Sequence, residues 1–495
     1  MALDPVFGSV RVCEKTTAVA QLKTECKTEI PSDTVSRVVD VSAFCGGADY
    51  SSENGVKVFG TLIFNVIYIT TDGKIAKHEC AQEFSQDLKE ELNEKTFLPS
   101  VNIEKTAADI SGTRLTVYAV LSVGGETAGF KDIPCLSGGD GVVADLQEKT
   151  VAKSFGVKKS TFPVEGEMSF PFEIAEVLSQ QAKAVLTGVK CGVGSVIVDG
   201  EAIITALLLQ NSENGDIIKE EKVFPFRFEL ECDEAMPANV ATASVSVKSI
   251  RSDIAVDPET AKSTANVLIA VNVVGEAFAE ETLSLALDAF SETDDTALTF
   301  SQAEYRFPCG IKTVKRSVAG RCSASIPVGA TVIAVIDENV ETVSFKTENG
   351  IVYKGVYSAK ALYKDADGKI GTLPLETPVE YGEEKGDWDS AKICANAVFG
   401  KARPVSDGET EISGELLITA SYYKTKKLKF VSGIESTGSK PVCDAAISVY
   451  IPLEGEGLFS LSKRLGVNPE NLLSTNRELN FPLSGKERIV VYRQK

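Results

Sequence analysis

His78 is the chain's one histidine, and it stands between Lys77 and Glu79 just after a predicted hairpin turn. An imidazole activates a nucleophile only when a hydroxyl or thiol lies on one side and an orienting group on the other. No motif supplies His78 with either, so it reads as an exposed turn residue. The eleven cysteines, Cys13 to Cys443, are scattered singly with no C-x-x-C or similarly close pair. Zinc sites and disulfide frameworks need clustered thiols. Cys45, Cys191 and Cys394 sit beside small or β-branched residues, where a free thiol packs as a small hydrophobe. Asp365-Ala366-Asp367-Gly368 opens like a calcium loop, but Lys369 and Ile370 stand where an oxygen ligand and a glycine are required. It reads as a hairpin turn. There is no GxxxxGK[ST] phosphate loop. No catalytic residue, metal or cofactor is therefore expected.

Composition narrows the partners. At 495 residues, length alone suggests three or four domains. A hydrophobic content of 43% with 24% charged residues is that of a globular chain rather than a disordered one. The opening MALDPVFGSV has neither a basic n-region nor an apolar h-region, so no secretory signal is expected. Apolar stretches such as Thr61–Thr70 and Ala202–Leu209 are far shorter than the roughly 20 residues of a membrane helix. Unpaired cysteines add the expectation of a reducing cytoplasm. Residues 451–495 hold 7 Lys/Arg and 5 Asp/Glu, a net +2, against −21 for the preceding 450 residues. An acidic body repels nucleic acid. The basic run Lys424, Lys426, Lys427 and Lys429, after Tyr422 and Tyr423, reads as the solvated face or protected edge of a strand.

One block recurs three times: GTLIFNVIYITTDGKI from Gly60, GEAIITALLLQNSENGDI from Gly200 and GVYSAKALYKDADGKI from Gly355. Each starts on glycine, continues as a strand-like apolar run and closes on the Asp-Gly or Asn-Gly of a tight turn. Leu62, Phe64, Val66 and Tyr68 match Ala202, Ile204, Ala206 and Leu208, and then Tyr357, Ala359, Ala361 and Tyr363. This alternation predicts a half-buried strand. Asn65, Thr205 and Lys360 put a polar side chain one pleat out of line. Eleven residues past the turn glycine stand Phe84, Phe226 and Val379, and a further strand follows at Thr113–Leu121, Ala265–Val273 and Glu415–Tyr422. Opening glycines 140 and 155 residues apart make each unit a domain rather than a solenoid repeat. Gln82–Lys95 and Glu173–Lys183 are the candidate short helices, and Ser137–Gly141 and Ser432–Ser439 read as exposed connectors.

Beyond residue 446 the period changes. Ile447, Val449, Ile451 and Leu453 alternate as a strand, and Leu458, Leu461 and Leu465 recur at helical spacing before Gly466. Asn468 and Pro469 open a second helix as N-cap and N1, with Val467 and Leu472 as a staple. Arg488–Tyr492 closes as a strand. The expected fold class is mostly β: three tandem repeated β domains of sandwich or open-barrel type (1–140, 141–300, 301–446), then a small βααβ domain (447–495).

Tyr450-IPLEGEGLFSLSKRLGVNPENLLSTN and the later PLSGKERIVVY resemble a LysM domain in their strand, helix start, Gly-Val break, Leu-Leu-x-x-Asn and Pro-x-Gly. The three upstream blocks resemble SPOCS domains, and the pairing is similar to the SipL-like spore-coat morphogenetic family. That resemblance implies a non-catalytic scaffold or adaptor in spore-coat assembly, in the mother-cell cytoplasm at the forespore surface. It also implies that the LysM domain binds the coat's basement-layer ATPase, with other coat proteins and self-association as further contacts. Sugar-binding LysM domains use a Gly-Asp-Thr turn and an Asn-Pro turn. Here Gly455-Glu456-Gly457 and Asn476-Arg477 replace them, which disfavours glycan binding. The alternative function is a cell-wall protein that binds peptidoglycan or N-acetylglucosamine. Leu458, Phe459, Lys463, Arg464, Arg477 and Phe481 are the candidate partner-binding residues. In the LysM fold the two helix-end loops lie side by side, and an apolar patch ringed by positive charge is expected to face outward.

Overall fold

The computed structural model describes residues 3–29, 35–52, 55–88, 92, 95–212, 215–347, 350–405, 408–441 and 446–492. The chain is mostly β, built from six three-stranded antiparallel sheets and one closing pair. The first unit comprises β1 (Asp4–Glu29), β2 (Val35–Ser51), β3 (Val56–Thr70), β4 (Ile75–Leu88), β5 (Thr96–Ser111) and β6 (Arg114–Asp140). Its sheets run β1-β6-β5 and β2-β3-β4. The second comprises β7 (Val143–Phe170), β8 (Ile174–Cys191), β9 (Ser195–Gln210), β10 (Ile217–Glu231), β11 (Val240–Asp257) and β12 (Lys262–Phe290). The third comprises β13 (Asp294–Cys322), β14 (Thr331–Thr347), β15 (Gly350–Lys364), β16 (Ile370–Glu384), β17 (Ser390–Pro404) and β18 (Thr410–Ser439). Both repeat the strand order of the first. The third set of strands begins at Asp294, ahead of residue 301, because β13 is one uninterrupted strand.

The glycines explain the shared register. Gly73, Gly215 and Gly368 hold φ of 84°, 58° and 84° in the turns after the central strands, a region that side chains with a Cβ avoid. Gly60, Gly200 and Gly355 pair with Phe84, Phe226 and Val379. In each unit the alternating residues of the central strand meet the second sheet in a sandwich core. The first core joins Leu62, Phe64 and Val66 to Leu115, Val117 and Leu121.

The central strands are not half-buried, however. Their opposite faces carry Ile67, Leu207 and Leu362, each seven residues after its opening glycine. These three pack together with Val39, Leu178 and Ile336 in a core shared by all three units. The units therefore meet in one shared core, and alternation weakens wherever both faces of a strand lose water.

Both predicted helices in the body are strands. Gln82–Leu88 belongs to β4, which buries Phe84 and Leu88 while Glu83, Ser85 and Asp87 face outward; residues 89–91 and 93–94 lie outside the described set. Glu173 precedes β8, which pairs along β9. Pairing to a central strand overrides the helix propensity of Glu, Lys and Leu. The expected connectors Ser137–Gly141 and Ser432–Ser439 fall mostly within β6 and β18. Those strands run on beyond their third partner. β6 pairs with β5 only as far as Ala128, and β18 pairs with β17 only to Tyr423. Past these points β1–β6, β7–β12 and β13–β18 continue as three two-stranded ribbons. The ribbons bury Val10, Val12, Val151, Leu285, Tyr305 and Phe430 against one another.

The C-terminal module is β19 (Ile447–Tyr450), α1 (Leu458–Leu465), α2 (Pro469–Thr475) and β20 (Ile489–Tyr492). Gly466 ends α1 at φ 63°, and the Asn468 side chain accepts from Glu470 N at 2.9 Å to cap α2. Among the described residues no helix is long and apolar enough to cross a membrane.

Candidate functional site

The module's core is Leu461, Leu465, Val467, Leu472, Leu483, Ile489 and Val491, with Leu458 and Phe481 packed against it. The turn Gly455-Glu456-Gly457 is bound to Leu483, ahead of the closing strand. Gly455 N donates to Leu483 O at 2.8 Å, and Leu483 N donates to Glu456 O at 3.0 Å. The Glu456 carboxylate accepts from Leu453 N at 2.9 Å and from Arg464 Nε and Nη2 at 2.8 Å each. Arg464 holds that carboxyl below its ordinary range. At the second turn Asn476 Nδ2 donates to Leu472 O and Val490 O, and Oδ1 accepts from Val490 N. Glu456 and Asn476 thus spend their side-chain polar groups inside the module.

The six candidate residues do not form one outward patch. Leu458 and Phe481 belong to the core, and Arg464 is held by Glu456. Phe459 lies edge-on to Phe290 with ring centroids 5.5 Å apart, and Lys463 is ion-paired to Asp288. Asn468 N donates to Glu292 Oε1 at 2.7 Å, and Lys440 Nζ donates to Ser291 O at 2.5 Å. One side of α1 therefore docks the module onto the end of β12, a use that spacing within the module does not reveal. Arg477 alone of the six is exposed and makes no ion pair among the described residues. What the sequence reading missed is the outer row Ile447, Val449, Ile451 and Leu453, of which Ile451 is 71% exposed. Its signal was the alternation that predicted a strand through Leu453, although the strand itself ends at Tyr450.

No protein-family model, curated protein or solved structure matches this chain.

In the body, the chemistry-bearing groups sit where the units meet. A cavity of about 800 Å³ is walled by all three, with Lys15, Ser154, Glu276, Tyr305, Lys392 and Tyr423 among its lining. The buried Glu276 carboxylate accepts from Lys15 Nζ at 2.6 Å and Ser154 Oγ at 2.5 Å. Burial, with Glu276 beside it, pushes the Cys13 thiol up to about 11, so it stays protonated and unreactive at neutral pH. Other charged groups tie the units together. Lys360 Nζ reaches Asp40 Oδ1 at 2.7 Å and Asp337 Oδ2 at 2.6 Å. Glu338 takes Lys219 at 3.0 Å, the Tyr357 hydroxyl at 3.2 Å and Gly400 N at 3.0 Å. Asn65, the first unit's counterpart of Lys360, donates to Leu178 O at 2.9 Å. Asn65 and Lys360 are thus joints between units, whereas Thr205 donates to Glu221 within its own unit at 3.3 Å.

His78 is half-buried on β4 and bonded to Thr28 at 3.3 Å, and burial lowers its pKa. Among the described residues no cluster of three or more His, Cys, Asp or Glu is arranged to hold a metal. Cys394 is exposed rather than buried, and Cys443 lies outside the described residues. Lys424, Lys426 and Lys427 contact Asp387, Thr150 O and Glu304, and Lys429 lies over the Phe300 ring.

Proposed function

We propose that this chain is a non-catalytic adaptor in spore-coat assembly, in which a fused three-unit body carries a C-terminal module that binds a protein partner. The observation that carries the choice of partner class is the internal use of both turns. Glu456 and Asn476 spend their polar groups within the module, so little is left to recognise sugar hydroxyls. The exposed apolar row from Ile447 to Leu453 suits a protein surface. The module's net +2 favours an acidic one. The resemblance to the SipL-like family supplies the candidate, the basement-layer ATPase of the coat. In the body, charged residues are spent on joints between units rather than on a catalytic constellation, which fits a scaffold.

The test sets two ligands against each other with the full chain: purified basement-layer ATPase from a spore-forming bacterium, and insoluble peptidoglycan. Saturable binding to the ATPase with none to peptidoglycan supports the proposal. Co-sedimentation with peptidoglycan that is released by N-acetylglucosamine oligomers would replace it with the cell-wall alternative.

A further inference from the structure

The fold of the first unit brings together two thiols that are far apart along the chain. Cys26 lies on β1 and Cys80 on β4, strands that belong to different sheets of the sandwich. The two sheets close on each other along this edge. Cys26 Sγ donates to Ala81 O at 3.8 Å, and the neighbouring Thr28 Oγ1 lies 3.3 Å from His78 Nε2. The Cys26 and Cys80 thiols share a hydrogen bond. Cys26 is buried, whereas Cys80 is half-buried and open to a small reagent.

The repeat shows that the second thiol is particular to this unit. In the third unit Cys322 stands in the place of Cys26, and its thiol donates to Glu376 O at 3.1 Å. Glu376 is the counterpart of Ala81, since each lies three residues before the partner of its opening glycine. The equivalent central-strand residues Phe64, Ile204 and Ala359 pair with Cys80, Lys222 and Leu375. Leu375 belongs to the third unit's core. An aliphatic side chain thus completes the same sandwich edge, and the fold itself does not require a thiol at Cys80.

We propose that Cys26 and Cys80 form an oxidative modification site, at which hydrogen peroxide converts the pair to a disulfide linking the two sheets of the first unit. The half-buried Cys80 thiolate displaces hydroxide from the peroxide and becomes a sulfenic acid. The Cys26 sulfur then attacks it, and the Cys26 proton leaves with the displaced hydroxyl as water. Two thiols lose two electrons and two protons, and the peroxide is reduced to two waters. Burial, with the bond to Cys26, pushes the Cys80 thiol up, so thiolate is scarce at neutral pH and closure is slow. The adjacent sulfur is what makes that rare oxidation lasting, because Cys26 captures the sulfenic acid before it goes further. The bond closes the long loop between β1 and β4 and so favours the folded chain.

The test treats the full chain with hydrogen peroxide, alkylates the remaining thiols under denaturing conditions and reads the peptides by mass spectrometry. The expected product is a Cys26–Cys80 linked peptide that dithiothreitol removes. Its formation should quicken roughly tenfold per pH unit between pH 7 and 9, as the thiolate fraction grows. The linked chain should show a higher urea midpoint that dithiothreitol reverses. Cys80→Leu installs the third unit's residue and should leave Cys26 a free thiol, as Cys322 is beside Leu375; if that variant does not fold, Cys80→Ser gives the same reading. Recovery of both Cys26 and Cys80 as free thiols, under conditions that oxidise the exposed Cys309, overturns the proposal. So does a Cys80 that passes to sulfinic acid without linking, or a Cys26 oxidised as fully in the variant as in the wild-type chain.

Discussion

Replacing Lys360 with methionine removes a charge that joins the third unit to the first. The ammonium lies between Asp40, whose side chain is 4% exposed, and Asp337, and it also reaches Val41 O at 3.4 Å. Methionine fills the space of the stem but leaves two carboxylates facing each other, with Gln181 donating at 2.9 Å to Asp337 and the Val41 backbone to Asp40. Breaking a fully buried pair costs about 3–5 kcal/mol. Lys360 is itself 31% exposed, so water softens the loss, and the expected cost is about 2–4 kcal/mol. Urea unfolding followed by circular dichroism reads it as a lower midpoint at constant slope. Hydrogen exchange should accelerate in β2, which loses its tie to β15. Adding Asp40→Asn and Asp337→Asn to the methionine chain should recover most of the loss, since the buried charges go with their partner. A single variant within about 0.5 kcal/mol of wild type would refute the reasoning. So would a triple variant less stable than the single one.

Burial and the facing Asp337 push the Asp40 carboxyl up to about 6, above its unfolded value of roughly 3.9. The folded chain therefore keeps a proton that the unfolded chain gives up, and this group's contribution to stability falls as pH rises from about 4 to 6 and is level above that. Asp40→Asn should remove that part of the slope in melting temperature; an unchanged slope would show that Asp40 does not set it. Gly200→Ala brings a Cβ against Phe226 and Val185 O and should cost about 1–3 kcal/mol in urea unfolding, whereas Gly8→Ala, with open space around it, should be near neutral. Asp288→Lys should repel Lys463 and undock α1, seen as faster hydrogen exchange in α1. Lys463→Glu added to it should restore protection, and failure to do so would remove the ion pair as the cause.

The strand plan was legible because glycine turns and alternating apolar residues are local signals. Gly60, Gly200 and Gly355 set three equivalent registers, and Leu461, Leu465 and Leu472 set the module's core. The junction was only partly legible. Asn65, Thr205 and Lys360 stood out of line, but a polar residue in a strand looks alike whether it faces water or another unit. Ile67, Leu207 and Leu362 lacked any mark distinguishing a second buried face. Of the helices expected at Gln82–Lys95 and Glu173–Lys183, the stretches Gln82–Leu88 and Ile174–Lys183 are strand because their partners lie elsewhere in the chain, beyond the reach of propensity. The same holds for the module's surface. Phe459 and Lys463 were sound choices for exposed contact residues, yet Phe290 and Asp288, more than 160 residues earlier in the chain, had already engaged them.

That leaves Arg477 and the exposed row on β19 and the segment after it as the surface on which the proposed adaptor role depends. The direct measurement is the dissociation constant of the full chain for purified basement-layer ATPase, compared with that of a chain carrying Val449→Asp, Ile451→Asp and Arg477→Glu. All three positions are outside the module's core, so circular dichroism should be unchanged. The account predicts saturable binding by the wild-type chain and affinity at least about tenfold weaker in the variant, as expected when interface anchors are lost. Equal affinity in the folded variant, or a wild-type chain that binds peptidoglycan and not the ATPase, would contradict it.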